Sequence, residues 1–405
     1  MYISKNKLKQ TFIAIIICVL AIANASPKLL SLGIERQVYF SFLLFCFIFS
    51  FFKLLKGTMF KKIYLLNIIV VILMFIFPFI SAEITYANRY LFLSGLLLYP
   101  MLYEATKETR IPFIIIKILL IWSIYVCFHT IVVCNQFSYA SRMADVSLLY
   151  QSMGVGGYMF IYAISLASVI LFSYIINNDI KDNKTKLFLI IWFIYILTVY
   201  KSNFMTAVLV SIIGAALSIL FKRTTLKNKV VLILVFIIFF IFLMGPCQEL
   251  LETVITNILP ESGRIRQIFS GSEGVFQAIF NEFISDRMPT IQTSINAIKE
   301  NSLFGIIFSS KEINIGEHST LFDTFALWGI PIGIFYFILI FKPFFNNLRI
   351  CKYEYSIPIL VSFFVLMIFN NIECTSAFII SYITLFYLDY CSCKQGESIH
   401  EKRKI

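Results

Sequence analysis

The sequence predicts an all-α, polytopic integral membrane protein with about twelve transmembrane helices and one long helical loop outside the cytoplasm. Three observations predict this fold class. Of the 405 residues, 59% are hydrophobic and only 14% are charged, whereas soluble domains carry roughly 25% charged residues. Apolar runs of roughly 20 residues, the length that crosses a bilayer, recur along the chain. Lys and Arg are concentrated in alternate loops between these runs.

Twelve apolar runs are predicted to be helices of a single transmembrane domain, residues 1–405. The run at 89–103 and the two runs around Lys201 are short, so ten or eleven spans also fit. The first run also fits a signal peptide, because lysines 5, 7 and 9 precede it and it ends in Ala23-Asn24-Ala25. The runs lie at about 11–25, 38–55, 63–81, 89–103, 111–134, 153–176, 187–200, 203–221, 229–246, 319–341, 356–372 and 375–390.

The orientation of these helices follows from the basic residues, which are retained on the cytoplasmic side of a membrane. With the N-terminus inside, the cytoplasmic segments contain 23 Lys and Arg, and the outer loops contain ten. This pattern predicts a cytoplasmic (inner) membrane protein with both termini cytoplasmic and with residues 247–318, between helices nine and ten, outside. Because the net charge of +12 is spread over short inter-helix loops, no nucleic-acid partner is expected.

The long loop, 247–318, is predicted to be helical rather than disordered. Apolar residues recur at helical spacing over 275–284, which indicates an amphipathic helix. A second stripe over 250–258 ends at Pro260, and Pro289 is expected to open a third helix. The glycine-rich stretch 271–274 links two of these helices. Long loops in compact proteins are usually functional.

Five arginines are placed outside the cytoplasm, against the charge rule, and they indicate an anionic partner. The guanidinium group binds phosphate oxygens bidentately and stays charged when partly desolvated, which suits a diphosphate at a membrane surface. Solvation, or pairing with acidic residues of the long loop, is the alternative explanation. The five are Arg89, Arg142, Arg264, Arg266 and Arg287, and the acidic residues are Glu261, Glu273, Glu282 and Asp286.

His318 and Asp323 are the candidates for acid–base chemistry. His318 immediately precedes the tenth apolar run, where an imidazole can exchange a proton or bind phosphate. A capping or interfacial histidine is the alternative. Asp323 lies about 7 Å deeper along that helix, where a carboxylate is costly and therefore a functional candidate. His129 and His400 are predicted to be structural or inert.

The sequence carries no motif for nucleotide or metal chemistry. It contains no Asp-x-Asp pair, glycine-rich nucleotide loop or metal-spaced His and Cys cluster. No cofactor or metal is therefore expected.

In order and topology, several motifs between about 140 and 335 resemble the O-antigen polymerase and ligase superfamily, the Wzy-like proteins. The resemblance implies metal-independent glycosyl transfer at the outer membrane face, from an undecaprenyl-diphosphate-linked donor. It also implies that Arg142, Arg287 and Arg264 or Arg266 bind the diphosphate, with His318 beside them. The motifs are Arg142, Gly154, Gly156-Gly157, Arg287, Asn301-Ser302-Leu303-Phe304-Gly305, His318-Ser319-Thr320, Asp323 and Trp328-Gly329-Ile330.

Within this superfamily the expectation is a polymerase of lipid-linked repeat units, building an O-antigen, capsule or exopolysaccharide. Ligases commonly have Asn after the histidine, whereas Ser319 follows here. The expected partners are lipid-linked glycan donor and acceptor, membrane lipids and a chain-length regulator. A ligase, or a flippase for lipid-linked oligosaccharide, is the alternative. A transporter is expected to line its path with intramembrane charges, and here the interior of the apolar runs is nearly free of charge apart from Lys117 and Asp323.

Overall fold

All regular secondary structure in the described part of the chain is helical. The computed structural model describes residues 111–222, 275–306, 314–350 and 353–372, except 145, 180 and 371, together with parts of 11–32 and residues 44 and 48. The helices are α1 Pro27–Ser31, α2 Ile111–Gln136, α3 Ala140–Met143, α4 Leu148–Ser152, α5 Tyr158–Asn177, α6 Asn183–Lys201, α7 Met205–Leu220, α8 Val275–Glu300, α9 Thr320–Ile350 and α10 Tyr353–Phe369.

Four helical stretches within the described residues are long and apolar enough to cross a membrane: Ile115–Gln136, Tyr158–Asn177, Asn183–Lys201 and Thr320–Ile338. Helices α7 and α10 are also apolar but shorter. The predicted class, an all-α membrane protein, is therefore confirmed at this level. The count of about twelve spans stays a prediction, because the runs at 38–55, 63–81, 89–103, 229–246 and 375–390 lie outside the described residues, apart from 44 and 48.

Helix α5 is the central helix of this part of the chain, buried along most of its length and packed against α6, α7 and α10. Helix α7 approaches it closely through small residues. A Cβ atom on Gly214 would lie 2.2 Å from Cγ2 of Val169, and the hydroxyls of Ser173 and Ser218 are 2.5 Å apart. Small residues and hydroxyl pairs of this kind bring membrane helices into close contact.

Hydrogen bonds bring several loops together at one end of the helices, which we call the loop end. Asn203, with φ +60, turns the chain between α6 and α7 and donates through its side chain to the Ser138 carbonyl at 2.7 Å. The Tyr162 hydroxyl donates to Oδ1 of Asn370 at 2.9 Å. The backbone N–H of Thr320 donates to the Asn370 carbonyl at 3.0 Å. The starts of α5, α7 and α9 therefore meet there.

The apolar run 319–341 is predicted to be a helix, and the structure shows that this helix, α9, contains a break. The helix is broken at Gly329, whose φ of +78° and ψ of +165° are essentially restricted to glycine. Pro331 follows and lacks the N–H that would bond the Leu327 carbonyl, so the helix restarts there, and proline is well tolerated in a first helical turn. The Ile330 N–H, freed by the break, donates to the Ser302 carbonyl at 2.8 Å.

The prediction that Pro289 opens a helix is wrong, because Pro289 lies inside α8, Val275–Glu300. Proline removes only one helical hydrogen bond, that to the carbonyl four residues earlier. The turns around Pro289 keep other partners, because the Thr293 hydroxyl donates to the Pro289 carbonyl at 3.0 Å. Helix α8 also packs on α9. The helix predicted over 275–284 is confirmed, whereas the stripe at 250–258 and the link at 271–274 lie outside the described residues.

Candidate functional site

The candidate site is built on one face of α8. Arg287, Thr290 and Ser294 are separated by three and four residues, so they lie on the same side of the helix. Arg287 is half-buried and Ser294 is fully buried. This face packs against residues 314–319, the segment that leads into α9.

Gly316 brings that segment into backbone contact with α8. A Cβ atom at this position would lie 1.9 Å from the Thr290 carbonyl oxygen, so no larger residue fits without displacing backbone. The Gly316 N–H donates to the Ser294 hydroxyl oxygen at 2.9 Å. Close approach of two backbones is a typical use of glycine.

Asp323 accepts a hydrogen bond on each carboxylate oxygen. Its Oδ1 accepts from the Ser294 hydroxyl at 2.5 Å, and its Oδ2 accepts from the Ser319 N–H at 3.0 Å. Ser319 in turn caps α9, because its Oγ accepts from the Phe322 N–H at 3.2 Å. Asp323 is only 4% exposed, so these two donors supply the partners that a buried carboxylate requires.

Glu317 and His318 project between these two anchored positions. Gly316 on one side is bonded to Ser294, and Ser319 on the other side is bonded to Asp323. Glu317 has a φ of +60°, a left-handed conformation that is uncommon for residues other than glycine. Both Glu317 and His318 are exposed. The geometry therefore presents a two-residue bulge with the imidazole on the surface.

His318 lies within electrostatic reach of Arg287. Partial burial lowers the pKa of His318 below its usual range, the Arg287 guanidinium lowers it further, and the neighbouring Glu317 carboxylate partly opposes both effects. The lowered pKa favours the neutral form of the imidazole. A neutral imidazole beside a guanidinium can accept a proton while the guanidinium binds an anion.

The structure brings three of the six predicted site residues together. Arg287 lies within electrostatic reach of His318, and Asp323 is connected to the same two segments through its bonds to Ser294 and Ser319. Arg142 lies in α3 and is half-buried. That Arg142 and Arg287 face one anion-binding pocket stays a prediction. Arg264 and Arg266, like Arg89, lie outside the described residues.

The segment around Arg142 is ordered by glycines that the sequence had singled out. Gly154 has a φ of +76° and lies against Lys28 and His129. The Gly156 N–H donates to the Thr130 hydroxyl at 2.8 Å, and the Ser141 hydroxyl donates to the Gly156 carbonyl at 2.5 Å. These contacts fix α3 on the end of α2.

The two sequence motifs that contain Gly305 and Gly329 contact each other in the structure. Gly305, with a φ of +71°, follows α8, and a Cβ atom there would lie 2.1 Å from the Leu327 carbonyl oxygen. A Cβ atom on Gly329 would lie 2.3 Å from the Leu303 carbonyl oxygen. The turn after α8 therefore docks into the break in α9, backbone against backbone.

Ser294 is the residue that sequence reasoning missed. A serine in an amphipathic helix carries no chemical signature, and only its spacing of seven residues from Arg287 places it on the same helical face. Within the described residues, no three His, Cys, Asp or Glu side chains are grouped as a metal site would need.

Comparison with known proteins does not assign this chain to a family. No protein-family model matches the chain. Comparison with curated proteins likewise returns no match.

Proposed function

We propose that this chain is a polymerase of lipid-linked oligosaccharide repeat units, a glycosyltransferase acting at the outer face of the cytoplasmic membrane. The observation that carries the proposal is an exposed imidazole, within electrostatic reach of a guanidinium, at the end of apolar helices. The substrates would be undecaprenyl-diphosphate-linked glycans, one as donor and one as acceptor. The product would be a surface polysaccharide such as O-antigen, capsule or exopolysaccharide.

In the proposed reaction, His318 accepts the proton of an acceptor hydroxyl. The hydroxyl oxygen forms a bond to the anomeric carbon of the donor sugar, and the bond from that carbon to the diphosphate oxygen breaks. A positioned base typically contributes 10²–10⁴-fold to such a step. Asp323 suits this role less well than His318, because both its oxygens already accept hydrogen bonds in a buried position.

Arg287 is proposed to bind the diphosphate of the donor. The lipid diphosphate gains negative charge as it leaves, so a fixed guanidinium stabilises the transition state more than the ground state. Arg142 and Arg264 or Arg266 would supply further positive charge to the same group. The lipid tails would remain among the apolar helices, and a chain-length regulator would act as an external partner.

Deletion of the gene, followed by analysis of glycan on the lipid carrier and on the cell surface, tests the proposal. Loss of a polymerase leaves single repeat units, and a plasmid copy of the parent restores long chains while a His318→Ala copy does not. Long polymer that accumulates unattached in the deletion strain would instead indicate a ligase. Repeat units confined to the cytoplasmic face would indicate a flippase.

A further inference from the structure

We infer that Ser294 and Asp323 form a positioning pair that holds His318 beside Arg287, and that neither residue reacts with substrate. The inference deepens the proposed function and rests on it for the role of His318. It depends on three hydrogen bonds that link Ser294 and Asp323 to each other and to the backbone N–H groups of residues 316 and 319. These two backbone groups lie on either side of His318 in the chain. Neither Ser294 nor this role for Asp323 follows from the sequence.

The pair anchors the chain on both sides of the projecting residues. The Ser294 hydroxyl accepts from Gly316 N–H at 2.9 Å and donates to Asp323 at 2.5 Å. Asp323 accepts from Ser319 N–H at 3.0 Å. Because the two side chains are bonded to each other, residues 316 and 319 are tied to one point where α8 meets α9.

The same pair fixes the distance of His318 from Arg287. Ser294 and Arg287 belong to one helix, seven residues or about two turns apart. The backbone contact of Gly316 with Thr290 prevents the segment from sliding towards or away from that helix. The imidazole therefore has its position set by α8, the helix that also carries the guanidinium.

Burial explains why the pair requires both members. Ser294 is 0% exposed and Asp323 is 4% exposed. A buried carboxylate that loses a donor is strongly unfavourable, so removing the Ser294 hydroxyl costs Asp323 one of its hydrogen bonds and releases Gly316. We expect His318 to be displaced, because Gly316 and Ser319, which flank it, are held together through the hydrogen bond between Ser294 and Asp323.

The test is a titration of the three histidines, labelled with ¹³C at Cε1, in the full chain reconstituted in nanodiscs. The His318 resonance is assigned with a His318→Gln variant. In Ser294→Ala, the pKa of His318 should rise towards its ordinary value, because the imidazole leaves both its partly buried position and Arg287. Chain extension of lipid-linked repeat units should fall by roughly 10–100-fold, the cost of about 1 Å of misplacement.

Matched variants separate positioning from general stability. Thr293→Ala removes a neighbouring exposed hydroxyl that donates to the Pro289 carbonyl, and it should leave both the His318 titration and the extension rate unchanged. Ser294→Thr keeps a hydroxyl and should restore both readouts. If Ser294→Ala does not fold, Asp323→Asn serves in its place, because its amide nitrogen cannot accept the second hydrogen bond.

The two hypotheses fail in different ways. A His318 pKa that is the same in Ser294→Ala, or in the substitute Asp323→Asn, as in the parent would overturn the positioning role. A parent chain that extends no repeat unit would contradict the proposed polymerase but would not affect the titration. Equal pKa shifts in Thr293→Ala and Ser294→Ala would also overturn the inference, because the effect would then not depend on the pair.

Discussion

At the scale of single residues, the proposed chemistry depends on the environment of one imidazole. His318 is exposed yet its pKa is lowered, first by partial burial and then by Arg287, with Glu317 acting in the opposite direction. Lowering the pKa keeps the imidazole unprotonated as the pH falls. A base must be unprotonated to act, so for the role proposed for His318 this environment would extend the working range towards acid pH.

Replacing His318 tests whether it is a base or only precedes a helix cap. His318→Ala and His318→Asn should each lower the rate of chain extension by roughly 10²-fold or more, because a positioned base is lost. Their melting temperatures should stay close to that of the parent, since the cap of α9 is made by Ser319 and not by His318. Variants that melt normally and extend chains within a few-fold of the parent would assign His318 a structural role.

Replacing Arg287 separates its charge from its geometry. Arg287→Gln removes the charge that lowers the His318 pKa, so that pKa rises and the acid limb of the pH–rate profile moves to higher pH. Arg287→Lys keeps a charge, so the limb should stay near its position in the parent, but the rate should fall because an ammonium group cannot bind phosphate bidentately. An acid limb that is identical in the Gln variant and the parent would disprove this coupling.

At the scale of elements, α8 and α9 contact each other at two places. The Ser294 and Asp323 side chains connect them near the start of α9, and the turn after α8 docks into the break at Gly329. The second contact is made by backbone atoms, so it leaves no room for side chains at Gly305 or Gly329. The break is thus a docking site for the turn rather than a weak point of the helix.

Substitution of Gly305 should be far more damaging than that of Gly333. Gly305→Ala places a methyl group 2.1 Å from a carbonyl oxygen and forces a residue other than glycine to a φ of +71°. The conformational strain alone costs about 1–3 kcal/mol. In Gly333→Ala the methyl group meets the ring of Phe325, a side chain that can move. Thermal unfolding in detergent should show a clear loss for the first variant, and equal stability of the two would contradict the docking interpretation.

Much of the helical architecture could be predicted from hydropathy, because membrane helices are defined by averages over about 20 residues. The runs at 111–134 and 203–221 differ from α2 and α7 by only a few residues. Hydropathy cannot detect a break made by a single backbone angle at Gly329, nor decide whether Pro289 starts a helix or lies inside one. Both depend on partners distant in sequence.

The candidate site could be predicted only in part, for a related reason. Arg287 and His318 are conspicuous because cations and imidazoles are rare in this chain outside the basic loops. Ser294 is not conspicuous, because its importance comes from the backbone of Gly316 and from Asp323, 29 residues further along the chain. The depth of Asp323 in an apolar run makes it a functional candidate, but its orientation towards two donors could not be inferred from that depth.

At the scale of the whole molecule, the described helices have two distinct ends. The loop end carries Arg287, His318 and Arg142, whereas residues 178, 179, 181 and 182, between α5 and α6, lie at the opposite end. The opposite loop is followed by Lys184 and Lys186, and the charge rule assigns such segments to the cytoplasm. A polymerase that uses lipid-linked units at the outer face requires the loop end to be outside.

Cysteine labelling on intact cells should therefore distinguish the two ends. In a variant lacking the nine native cysteines, a single cysteine at Glu317 or at Ser272 should react with a membrane-impermeant maleimide. One at Lys181, which is exposed at the opposite end, should react only after the membrane is permeabilised. The reverse pattern, with residue 181 labelled and residue 317 protected, would place His318 in the cytoplasm. Transfer from lipid-linked units at the outer face would then be impossible at this site, whatever the chemistry of Arg287 and His318.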